Sequence, residues 1–68
     1  MSVYRVIDVI GTSPESWEEA AKEAISTASG SLRDLRIAEV TKQDVTVGAD
    51  GGVVFRVKVQ LSFKYEKE

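Results

Sequence analysis

The most constraining feature of this chain is its last apolar run. From Val53 to Lys64, Val53, Phe55, Val57, Val59, Leu61 and Phe63 fall on every second position, and Arg56, Lys58, Gln60, Ser62 and Lys64 stand between them. Successive side chains of an extended strand point to opposite faces, so this period of two makes one face apolar and the other polar. Such a strand must bury its apolar face, and the middle of a sheet suits it best. The rest of the chain is read for what flanks and covers it.

Upstream, Gly48-Ala49-Asp50-Gly51-Gly52 reads as a hairpin turn with Asp-Gly at its centre. It joins the run to a strand over about Leu35 to Val47 whose alternation is imperfect. There Ile37, Glu39, Thr41 and Gln43 share one face, and Ala38, Val40, Lys42 and Asp44 the other. Imperfect alternation means that both faces are used or that a bulge resets the register. At the start, residues 3–10 are rich in β-branched and aromatic types and read as a strand. Tyr4, Val6, Asp8 and Ile10 share one of its faces, and Val3, Arg5, Ile7 and Val9 the other.

Between these strands the pattern turns helical. Gly11 is expected to permit a sharp turn. Ser13 is the expected N-cap with Pro14 in the first turn, and Thr12 with Glu15 forms an alternative capping box. Glu15, Glu18 and Glu19 favour the positive end of the helix dipole. The helix is expected from about Pro14 to Ser29. Trp17, Ala20, Ala21, Ala24, Ile25 and Ala28 follow helical spacing and form a thin stripe that can lie close to a sheet. Gly30 is expected to end the helix in a left-handed turn.

The predicted fold is therefore α+β: β-α-β-β over one domain, residues 1–68, with a three-stranded sheet of order 1-3-2 wrapped on one helix. A right-handed crossover makes the first two strands parallel, and the hairpin sets the third antiparallel to both. One sheet face stays bare and two long strand edges stay unpaired, which natural proteins rarely tolerate. A core of this size supplies only roughly 3–5 kcal/mol without help from disulfides, metal or oligomerisation. The chain has no Cys and no His, so disulfides are excluded and zinc lacks its preferred ligands. Self-association is the expected remedy.

Charges are mixed, with a formal net of −2, and no basic footprint marks a nucleic-acid partner. No apolar run approaches the roughly 18 residues of a membrane helix. The opening residues lack a basic region and carry Asp8, so they do not read as a signal peptide. The expected compartment is the cytoplasm. No Cys nucleophile, G-x-S-x-G elbow or phosphate loop is found. The acidic helix start is explained by capping, so no enzyme is expected.

Val3–Ile25, then Leu32–Val45, then Val54–Glu66 together resemble the dodecins across nearly the whole chain. The likeness is carried by Gly11-Thr12-Ser13 before the helix, by Glu39-Val40, and by Leu61-Ser62-Phe63. The resemblance implies a hollow homo-dodecamer built of trimers. Many members bind flavins, stacking the rings in pairs between tryptophans near a two-fold axis, and act as stores rather than catalysts. Three of the pocket positions differ here. The stacking Trp is Ile37, which offers no flat π-face. The Gln that hydrogen-bonds the flavin ring is Arg56, which has no acceptor. An Arg-Gly pair near phosphate-bearing ligands is Asp44-Val45.

The same changes resemble a branch described as calcium-binding. An oxygen-only donor set suits a hard cation, and Asp44, Asp34 and Asp8 are the candidate carboxylates. Calcium usually takes six to eight oxygens, so symmetry copies would have to multiply them. Each carboxylate also has an ordinary reading, Asp34 as a turn residue and Asp44 and Asp8 as members of ion pairs or hydrogen bonds. The functional expectation is a dodecameric shell that binds or stores a small ligand or ion, calcium before flavin. Flavin storage, or a structural oligomer without ligand, is the alternative.

Overall fold

The computed structural model describes residues 1–30 and 35–64; the candidate Asp34 and the polar end at 65–68 lie outside the described residues. Strand β1 runs Tyr4–Ser13, helix α1 Trp17–Ser29, strand β2 Leu35–Val47 and strand β3 Val53–Lys64. The sheet order is β1-β3-β2, and β3 is antiparallel to both neighbours. The predicted fold, topology and central place of the alternating strand all stand.

Helix α1 packs chiefly on β1 and β3. Its contact stripe is small, with Ala20 and Ala24 buried against Val57, Val59 and Leu61 and with Ala21, Ile25 and Ala28 at the margin. This explains Gly11, which does not turn the chain but continues β1 opposite Val57. A Cβ on Gly11 would run into the Ala20 carbonyl and lie 2.9 Å from the Ala24 Cβ. Glycine is there so that helix and strand backbones can touch.

Because β1 stays extended through Ser13, the helix begins later than predicted. Its N-cap is Ser16, whose hydroxyl accepts the Glu19 N–H at 3.1 Å. Ser13 instead accepts the Glu15 N–H at 2.9 Å and shapes the link between strand and helix. Gly30 also departs from expectation. It closes the helix at φ −70°, in the right-handed region, so no left-handed turn is needed there. Left-handed backbone is used at Gly51, φ 88°, in the hairpin.

Lengths do not match across the layers. A 13-residue helix spans about 20 Å, whereas strands of 12 or 13 residues reach about 40 Å. The β2–β3 hairpin therefore projects beyond the helix, and burial along β3 fades from Leu61 towards Val53. The radius of gyration is 14.1 Å, against about 11 Å for a compact domain of this length. Val47 at the hairpin base is 70% exposed. Alone, the chain leaves much apolar surface and the outer edges of β1 and β2 uncovered.

Candidate functional site

The sheet face away from α1 collects Ile37, Asp44, Arg56 and Asp8 from among the residues singled out for ligand binding. β2 carries register shifts between Leu35 and Ile37 and between Val40 and Lys42. The second is a bulge at Thr41, whose hydroxyl donates to the Lys58 carbonyl at 3.2 Å. It corrects the face assignment made from simple alternation. Ile37 and Glu39 join Lys42 and Asp44 on the open face, while Ala38 and Val40 lie on the helix side, opposite Leu61 and Val59.

Reading the register across β1, β3 and β2 gives four rows on the open face: Thr12–Arg56–Asp44, Ile10–Lys58–Lys42, Asp8–Gln60–Glu39 and Val6–Ser62–Ile37. The first row holds the best-defined polar contact. Arg56 donates from Nε to Asp44 Oδ1 at 2.7 Å and from Nη2 to Asp44 Oδ2 at 2.9 Å. This fork-to-carboxylate geometry is the strong form of the ion pair. The Arg56 hydrogen bond, with its charge, holds the Asp44 carboxyl below its usual range, and the Asp44 hydrogen bond in turn raises Arg56.

Asp44 is anchored from behind as well. The Trp17 indole N–H donates to the Asp44 carbonyl at 3.0 Å, and the ring meets Phe55 edge-on, with centroids 5.1 Å apart. Trp17 thus lies on the helical stripe as read from spacing, and it also ties the helix start to β2. That tie had no signal in the sequence, because it depends on the register of β2 with β3.

The three pocket positions Ile37, Arg56 and Asp44 do share one face. Ile37 is 57% exposed there, a branched alkyl surface without a π-face. Of the candidate carboxylates, Asp44 gives both oxygens to Arg56, and Asp8 sits one strand from Gln60 and two from Glu39. Among the described residues no three Asp or Glu side chains come close enough to hold a metal ion. The described residues of one chain do not gather the six to eight oxygens that calcium usually takes.

The Asp44–Arg56 pair makes a prediction about acid. The folded-state pKa of Asp44 lies below its unfolded value, so the pair contributes stability above the unfolded carboxylate range, near 4. That contribution is lost as pH falls through the folded value. Asp44→Asn should therefore melt below the wild type at pH 7, and the gap should close as pH falls below the unfolded carboxylate range. Both side chains are about 40% exposed, so the gap is modest and salt narrows it. A gap that is constant with pH in thermal melts would deny the ion pair its role.

The fold and this face define a class: a β-α-β-β unit with one sheet face on a helix and the other open and charged. The family model described as Dodecin matches residues 3–66, and the chain belongs to the dodecin family. It is 53% identical over 64 residues to calcium dodecin of Mycobacterium tuberculosis, covering 94% of this chain and 90% of that protein. The crystal structure of that calcium-chelating immunodominant antigen, with a novel calcium-binding site, matches at TM-score 0.89 and 49% identity, over 98% of this chain and 96% of that one. The dodecin of Streptomyces coelicolor matches at TM-score 0.91 and 37% identity, over 98% and 96% of the two chains.

Proposed function

We propose that the chain assembles into a homo-dodecamer of trimers that binds and stores calcium in preference to flavin, without a catalytic role, in the cytoplasm. The observation that carries the ligand is the 53% identity to a calcium dodecin. The open face agrees with it. Ile37 occupies the place of a stacking ring, and Arg56 is committed to Asp44 instead of presenting the donor and acceptor of an amide. Oxygen ligands are the only metal donors of strength in a chain without His or Cys. Asp8, Asp34 and Asp44 are the proposed carboxylates, brought together by symmetry-related copies, with Asp44 in competition with Arg56.

Thermal melts with calcium and with chelator test this reading. A ligand that binds only the assembled state raises the melting temperature in a saturable way. The expected result is such a rise with calcium, its reversal by chelator, and its loss in Asp8→Asn or Asp34→Asn. Riboflavin fluorescence should stay unquenched at micromolar protein. Quenching of riboflavin together with no response to calcium would favour the flavin-storing alternative. Indifference to both would leave a structural oligomer.

A further inference from the structure

We propose that the open face docks on a second copy of this chain through its two charged rows, with Glu39 of each copy paired to Lys42 of the other across a two-fold axis. This contact rests on the homo-oligomer proposed above and specifies one of its surfaces. The acidic row is Asp8–Gln60–Glu39, and the basic row beside it is Ile10–Lys58–Lys42. Each row is unfavourable within one chain. Lys42 and Lys58 stand directly opposite each other on β2 and β3, and like charges so placed destabilise a sheet. Asp8 and Glu39 flank Gln60 with no cation in their row.

The bulge at Thr41 creates this banding on β2. Glu39 and Lys42 are three residues apart, and in an unbroken strand an odd separation sends side chains to opposite faces. The extra residue brings both onto the open face in adjacent rows, where both are exposed. Bulges are a regular means of re-aiming a side chain. Among the described residues no salt bridge joins the two rows within the chain. Lys42 does act on Asp44, whose carboxyl it helps to lower, but less than Arg56 does, and Arg56 holds both carboxylate oxygens.

Symmetry selects the arrangement. Two copies can bring these faces together about a two-fold axis that runs along the strands or across them. An axis along the strands sets acid on acid and lysine on lysine. An axis across the strands, midway between the two rows, turns the second copy end for end and sets the acidic row of each copy on the basic row of the other. Position along a row is kept, so Glu39 and Lys42, both on β2, meet twice in one isologous contact. Lys58 of one copy lies over Gln60 of the other, one strand from Asp8. Packed sheets stand about 10 Å apart, a gap that a glutamate and a lysine reaching towards each other close. Complementary charge of this kind fixes register and partner.

Native mass spectrometry in chelator tests this with Glu39→Lys and Lys42→Glu, one of the two variants labelled with heavy nitrogen. Both positions are exposed, so each variant keeps its own core. Either variant alone sets like charges against each other at both bridges. Each should need at least about tenfold more protein than the wild type to assemble. An equimolar mixture should assemble as the wild type does, with the two chains in equal numbers, because lysines at positions 39 and 42 of one chain meet glutamates at positions 42 and 39 of the other. A salt bridge within one chain cannot produce that rescue, since each variant carries two like charges; it would be restored only by Glu39→Lys/Lys42→Glu in a single chain. Variants that assemble as an assembled wild type does, or a mixture no better than its parts, would overturn the contact and leave the assembly standing. A wild type that stays monomeric would overturn both.

Discussion

Gly11→Ala is expected to prevent α1 from seating on the sheet. The added methyl would overlap the Ala20 carbonyl and stand 3.1 Å from its carbon. Both atoms belong to helix backbone, which cannot rotate away as a side chain would. Relief requires α1 to lift off β1, and Ala20 and Ala24 then lose their contacts with Val57, Val59 and Leu61. Overpacking typically costs about 1–3 kcal/mol and occasionally more, and a clash with rigid helix backbone lies at the upper end of that range. The lower entropy of the unfolded alanine chain returns at most roughly 1 kcal/mol, so the clash wins.

Gly30→Ala is the matching control. Gly30 has ordinary right-handed helical backbone, and its nearest neighbour to an added Cβ is 3.4 Å away. It should be neutral or stabilising by about 0.4–1 kcal/mol. Thermal melts of the two variants side by side decide the matter. A Gly11→Ala protein that melts with the wild type would remove the close approach from the account.

Leu61→Ala should have an effect of the same order. Leu61 is 0% exposed and is one of the three largest fully buried side chains, with Val57 and Val59. It sits where all layers meet, opposite Ile7 on β1 and Ala38 on β2 and beneath the alanine stripe of α1. Truncation of a buried leucine costs roughly 2–5 kcal/mol, from lost transfer energy and from the cavity left behind. A core this small supplies about 3–5 kcal/mol in all, so the isolated chain would be left near zero stability. Urea unfolding at fixed protein concentration measures it. A loss under about 1 kcal/mol would mean that the core lies elsewhere.

How far the sequence could be read follows from what each signal depends on. The period-two run of β3 is a local pattern with one interpretation, and it led to the central strand and from there to the sheet order. The Trp17–Ala28 stripe was equally local. Gly11 was misread because a glycine needed for close packing looks the same in one dimension as a glycine needed for a turn. The helix start was misplaced because Ser13 and Ser16 both precede acidic residues at capping distance. Only the pairing of Ser13 with Phe55 in the sheet decides between them.

The open face was the hardest to foresee. The bulge in β2 could be suspected from its broken alternation, but its position at Thr41 is set by pairing with β3. That single residue decides whether Ile37 and Glu39 share a face with Asp44. The Asp44–Arg56 fork needs the same register. Convergence of carboxylates between copies depends on quaternary geometry, which no pattern within one chain encodes.

The central proposal is that this unit completes itself by symmetric assembly into a shell that binds calcium. An elongated chain with a half-covered sheet and two open edges gives the physical motive. Native mass spectrometry of the protein as purified tests it most directly. The account predicts one species of twelve copies of the 7.4 kDa chain, about 89 kDa, with excess mass of metal size that chelator removes. A monomer or dimer, or an assembly whose excess mass is that of a flavin, would contradict it.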